Sequence, residues 1–393
     1  MVEGFDRLNQ RIGRRGLLRT AGRVGAAAGL TALAGRGAWL AAEPVVASLA
    51  PALDRELRIG YLPITDASAL LVAHERGFLS AAGLPSAKPV LFRSWDALAQ
   101  ALAVGEVDAV HLLMPFALQL RLGKQVPLKV VSWGHTNGST LTVANHVRRT
   151  EELSGTKVAV PSWWSVHSVL TQRILRAAGL RSVLGRSAGS GTVELVVMAP
   201  ADMVPALASG AISGFTVADP FSAVAEAKHV GHVHRFLGDV WHDHACCAIT
   251  VREDLIATRA RAVQALTDAV VAAQAWLEAN RAGAGALLTG QGYLPQPEPA
   301  VSKVFTRTPE AYAAVNQHPD WKPERLGFTA FPQAGYTASL VELLRDTAID
   351  GDTSFLSVDA TSVHADLVDD RFVTASLASA GVPIAPRQEL IAP

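Results

Sequence analysis

The sequence is short of cysteine and of net charge. Its two cysteines in 393 residues, Cys246 and Cys247, are adjacent. A disulfide between neighbours would close a small, strained ring, so a framework of stapled loops is excluded. The pair reads instead as small packed side chains or as groups that face a ligand. Neither cysteine lies near the end of the leader, so no thiol is available there for a lipid anchor. Lys+Arg and Asp+Glu are equal at 35 each. That balance gives no basic face for nucleic acid and no acidic tail. Also missing are a G-x-S-x-G elbow, a phosphate-cradling G-x-x-x-x-G-K-[ST] loop and a G-x-G-x-x-G turn, the usual marks of hydrolases, nucleotide binders and dinucleotide enzymes.

What is abundant is apolar: 49% of the residues are hydrophobic, enough for buried cores in two or three domains. The N-terminus reads as an address. Arg14-Arg15 precede Gly16-Leu17-Leu18, a Gly/Ala-rich run follows from Val24 to Ala34, and small residues surround Ala38–Ala42. Charged start, modest apolar middle and small-residue end describe an export signal over 1–42 of the twin-arginine type. The run, bounded by Arg23 and Arg36, is too short to cross about 30 Å of hydrocarbon. The expected mature protein is soluble and periplasmic, without a lipid anchor.

Beyond residue 56 the chain alternates strand-like and helix-like stretches. Leu57–Leu62, Lys88–Phe92, Val107–Leu113 and Lys129–Trp133 read as strands, with helical spacing at Ser68–Arg76 and Trp95–Val104 between them. The rhythm repeats in strands Thr156–Val160, Val193–Val197 and Gly214–Val217, with helices Val166–Ala178 and Ala201–Ala208. Such β-α-β alternation predicts an α/β fold, mostly parallel sheets flanked by helices. Ligands in open α/β sheets sit beyond the carboxyl ends of the strands, so the residues there are the ones to inspect.

At those positions the chain resembles a known family. The pieces are Gly60-Tyr61-Leu62-Pro63-Ile64-Thr65-Asp66, Val72-Ala73-His74-Glu75-Arg76-Gly77-Phe78, Ser94-Trp95, Gly105-Glu106-Val107-Asp108-Ala109 and Thr136-Asn137-Gly138. Val158-Ala159-Val160-Pro161 with Ser165 and His167, Ala199-Pro200, Gly210-Ala211-Ile212 and Asp219-Pro220 follow in order. Together they are similar to the nitrate, bicarbonate, sulfonate and thiamine-precursor group of periplasmic binding proteins. The resemblance implies a type II, two-lobed fold with the ligand cleft between lobes. One lobe is expected from 56–142 and 245–393, with C-terminal helices, and the other from 143–244. It further implies a monomer that captures a small molecule by domain closure for the permease of an ABC importer, with no enzymatic activity and no cofactor.

Departures from the family's pattern bear on the ligand. Cys247 takes the place of a lysine that supplies positive charge in nitrate-binding relatives, and Ser139 stands where those relatives carry glutamine. A flat heterocycle or an amine is therefore favoured over a simple anion. Indole faces stack on heterocycles and attract cations, and adjacent Trp163 and Trp164 cannot both face one core. The expected ligand contacts are Asp66, Trp95, Asn137, Ser139, Trp163, Trp164, His167, Asp219, His244 and Cys247. Trp133, inside a strand, reads as core. His242, His244, Cys246 and Cys247 have metal-ligand chemistry but lack a C-x-x-C or H-x-x-x-H module, so no metal is expected. A nitrate- or bicarbonate-type binder, a ligand sensor and a pyrimidine-synthesis enzyme on the same fold are the alternatives. A Ser165/His167/Asp219 hydrolase is disfavoured because residues two apart on a helix point different ways.

Overall fold

The computed structural model describes residues 56–85, 87–315, 317–318 and 325–392. The leader and its twin arginines lie outside them. Ala50–Pro393 forms one compact unit. Among the described residues there are eleven strands. They are β1 (Ile59–Tyr61), β2 (Val90–Leu91), β3 (Ala109–Leu113), β4 (Leu128–Trp133), β5 (Ser139–Ala144), β6 (Lys157–Val160), β7 (Arg181–Leu184), β8 (Thr192–Val197), β9 (Gly214–Ala218), β10 (Gly231–Phe236) and β11 (Cys247–Arg252).

They form two sheets, ordered β2-β1-β3-β11-β4 and β10-β5-β9-β6-β8-β7. Strands of the β-α-β rhythm pair in parallel, β1 with β2 and β3, and β6 with β8 and β9. The antiparallel pairings come from β5, β10 and β11. Of these, β5 and β11 are where the chain arrives in a new sheet. It passes from the first sheet to the second between Trp133 and Ser139, and returns between Phe236 and Cys247. Because β5 begins at Ser139, the second sheet takes up the chain four residues before the expected boundary at 143.

The first strands form because Ile59-Gly60-Tyr61 and Ala109-Val110-His111-Leu112-Leu113 are buried on both faces, the pattern of strands covered by helices. The long helix Glu253–Ala279 packs on Ser68–Glu75. Two of the C-terminal helices are Ala360–Leu367 and Arg371–Ser379. Between them Val368 is extended and bridges Val130. Among the described residues no helix is long and apolar enough to cross a membrane.

The two passages between sheets, residues 134–138 and 237–246, are tied to each other. The Asn137 N–H donates to the His244 carbonyl at 2.9 Å and the Gly134 N–H to that of Cys247 at 3.1 Å. The strand ends also meet directly: beyond β1, the Thr65 N–H donates to the carbonyl of Asp219, which follows β9, at 2.8 Å. Around this junction the functional side chains collect.

Candidate functional site

Asp66 follows β1 in a single helical turn, Thr65–Ala67, and is wholly buried. His135 lies on the first passage, and its Nε2 stands 3.0 Å from Asp66 Oδ2, both side chains fully buried. The two face each other without the alignment of a hydrogen bond, which leaves both Asp66 oxygens and both His135 nitrogens without hydrogen-bond partners. Cys246 and Cys247 arrive at the end of the second passage and the start of β11, their Sγ atoms 3.7 Å apart. From the second sheet come Ser139, the first residue of β5, and His167, in the first turn of the helix Val166–Ala177. Ser139 Oγ is 3.0 Å from His167 Nε2, and Cys246 Sγ is 3.8 Å from the same nitrogen.

Two glycines make the convergence possible. A Cβ on Gly134 would stand 2.8 Å from His111 Nε2, so only glycine lets this passage cross the β3 histidine so closely. At Gly138, φ is +81°, and a Cβ would meet Leu326 Cδ1 at 2.6 Å and Asp66 Oδ1 at 3.2 Å.

The electrostatics follow from burial and proximity. Burial pushes the Asp66 carboxyl up to about 7, with the facing His135 acting in the opposite sense. For His135 burial is outweighed by Asp66, and the imidazole is pushed up to about 10. Burial lowers His111 to about 3 and His244 to about 4, so both stay neutral. Cys246 is held well below the usual thiol range against the cost of burial, by the S–H of Cys247 and by His167 and His135. Cys247 goes the other way, raised by burial and by its neighbour. Low-pKa thiols beside imidazoles are the ones that react or bind metals.

Of the expected contacts, Asp66, Ser139, His167, His244 and Cys247 belong to this junction. Asn137 shares it through its backbone, at φ +57°, while its Nδ2 donates to Asp243 Oδ1 at 2.9 Å. Asp219 contributes its carbonyl to Thr65, and its carboxylate accepts from Ser222. Trp95 is buried, with its Nε1 lacking a partner. Trp163 and Trp164 stand elsewhere, lining a groove of about 500 Å³ with Asp96, Gln100, Phe116 and Lys124. Trp164 also packs on Phe355, ring centroids 5.3 Å apart. Trp133 is core, edge-on to Tyr336 at 5.0 Å.

Three functional candidates escaped the expected set: His111, His135 and Cys246. His111 carried a signal, since it is the one polar residue of β3 and is fully buried with neither nitrogen bonded. The Ser165/His167/Asp219 reading has no geometric basis. Ser165 caps its helix by accepting from the Ser168 N–H, and His167 Nδ1 has no partner at all.

A family model described as NMT1-like matches residues 50–288. The chain belongs to the NMT1-like family. A nitrate/nitrite binding protein of a Nostoc species is 25% identical over 60% of this chain, and the match spans 57% of that relative, little over half its length. Among solved structures, the periplasmic nitrate-binding protein NrtA of Synechocystis superposes with a TM-score of 0.71 at 20% identity, over 84% of this chain and 89% of that one. A ligand-binding component of an ABC-type import system from Staphylococcus aureus, solved with zinc bound, gives 0.65 at 18% identity, over 82% and 99%. Those two likenesses show the fold, a two-lobed one of the periplasmic binding proteins.

Proposed function

We propose that the protein is the exported solute-binding component of an ABC importer and that it captures a small solute at the junction of its two sheets. The observation that carries this reading is the convergence on one buried point of residues from both sheets and both passages between them: Asp66, His135, Ser139, His167 and Cys246. A site shared in this way is completed only when the sheets come together, so ligand binding shifts the balance between open and closed forms. The closed form is then what a permease distinguishes. The nitrate-binding relative and the import-system component support the same role.

Binding rather than catalysis is favoured by the complete burial of the side chains around His167, whose Nδ1 has no hydrogen-bond partner. Nitrate itself is disfavoured, since Cys247 offers no fixed positive charge. In this reading Arg14 and Arg15 direct export through the twin-arginine route.

The test is uptake and closure together. A deletion strain should lose high-affinity accumulation of one solute, and that solute should raise the melting temperature of the purified protein and contract it in small-angle scattering. The panel is nitrate, bicarbonate, a sulfonate, a thiamine pyrimidine and divalent metal salts. A ligand at 100 times its Kd adds about 2.7 kcal/mol of stability. Unimpaired uptake of every panel member in the deletion strain, with no melting shift from any of them, defeats the proposal.

A further inference from the structure

We infer that Asp66, His135, Cys246 and Cys247 form a binding site for a soft divalent cation of the zinc type. One ligand atom from each, a carboxylate oxygen, an imidazole nitrogen and two sulfurs, lies within 4.8 Å of all the others, and all four residues are buried. The sequence offered Cys246 and Cys247 as metal-ligand chemistry but not Asp66 and His135, because the four donors come from three separated stretches of chain.

Two of the donor–donor distances match one central atom. Two thiolates on a tetrahedral zinc, with Zn–S bonds of about 2.3 Å, stand about 3.8 Å apart. The Cys246 and Cys247 sulfurs are 3.7 Å apart. Oxygen and nitrogen ligands at about 2.0–2.1 Å stand about 3.3 Å apart, and Asp66 Oδ2 and His135 Nε2 are 3.0 Å apart. Adjacent cysteines are poor chelators when both must turn to one side of an extended strand. Here Cys246 precedes β11 and only Cys247 is in it, which frees the first to point with the second.

The surroundings favour an ion over a molecule. Buried polar groups are nearly always bonded, yet both Asp66 oxygens, both His135 nitrogens and both His111 nitrogens lack hydrogen-bond partners. A divalent cation would give the Asp66 oxygen and the His135 nitrogen the partner that they lack. Two sulfurs and an imidazole select zinc or a cation of similar softness over magnesium and calcium, which require oxygen.

The inference deepens the solute-binding reading by naming the class of solute, and the experiment separates the two. The full-length mature protein, stripped with chelator, is titrated with zinc sulfate and, in parallel, with cobalt(II), magnesium and calcium chlorides. Expected are one zinc per chain retained through gel filtration, a thiolate-to-cobalt charge-transfer band, and no retention of magnesium or calcium. Cys246→Ser, Cys247→Ser and Asp66→Asn should each weaken zinc binding by more than about 100-fold, beyond the roughly 10–100-fold typical of losing a partner that only supports a ligand. Melting curves in EDTA that match the stripped wild type establish that the variants fold. Zinc binding unaltered by all three substitutions, or no zinc binding by the wild type, overturns the inference. If zinc fails while another solute shifts melting and needs this protein for uptake, the importer reading stands alone. Cysteine-dependent zinc binding with zinc uptake unchanged in the deletion strain leaves the site intact and removes the metal from the role of cargo.

Discussion

Thr65 and Asp219 join the two sheets at a single oxygen: the Thr65 N–H and Oγ1–H both donate to the Asp219 carbonyl, at 2.8 and 2.9 Å. The contact pairs the turn after β1 with the end of β9, so it exists only while the strand ends are together. Thr65→Val removes the side-chain donor and keeps the backbone one. The expected loss is about 0.5–1.5 kcal/mol, seen as a lower urea midpoint and a larger radius of gyration without ligand. An unchanged midpoint and radius would mean that other contacts hold the sheets.

The tryptophans divide into core and groove. Trp133→Ala opens a cavity beneath Tyr336 and should cost roughly 3–5 kcal/mol of folding stability. Trp163 is only half-buried and lines the groove, so Trp163→Ala should cost less than about 1.5 kcal/mol. Thermal unfolding of both variants checks the ranking. A larger loss at Trp163 would place it in the core after all.

Gly138→Ala combines two penalties. Its φ of +81° is strained for any residue with a Cβ, and the added carbon meets Leu326 at 2.6 Å and the Asp66 oxygen at 3.2 Å. The conformational part alone is about 1–2 kcal/mol. Denaturant titration should show at least that loss, and zinc retention should fall with it because Asp66 is pushed from its place. Full stability in this variant would show that the passage relaxes freely.

Acid should weaken the fold through a histidine remote from the junction. Burial lowers the pKa of His364, whose Nδ1 is 2.9 Å from Thr337 Oγ1. The unfolded chain, with an ordinary histidine pKa near 6.5, then takes up a proton before the folded one does. The contribution is fully present above that pH and is lost as pH falls towards the lowered folded value. Urea midpoints at pH 7.5 and 5.5 should differ less for His364→Gln than for the wild type. Equal differences would contradict the assignment.

The strands of the β-α-β rhythm were legible because each is an apolar run bounded by Gly or Pro. By contrast, β5, with Ser139, Thr140 and Thr142, looks like a solvated edge, yet every residue in it is buried. Its hydroxyls find buried partners, Thr140 with Thr142 at 3.1 Å and Ser139 with His167 at 3.0 Å, something composition does not reveal. The residues expected beyond the strand ends included Asp66, Ser139 and His167, which the fold brings to one junction. His135 and Cys246 were left out of the expected contacts for a physical reason: only the doubling back of the chain brings them to Asp66. The paired tryptophans drew attention by adjacency, but their helix start faces a different groove.

The two passages between sheets set an order of events. A group close to a rotation axis travels little while the far edges of the sheets sweep widely. His135 and Cys246 lie on the passages, Asp66 follows β1 and Cys247 begins β11, so on the solute-binding reading these four would keep their spacing in an open and in a shut form. Ser139 and His167 would ride in with the second sheet. The cation would thus meet a finished socket in the open form, and closure would add a roof: an ion bound before the swing, and retained by it.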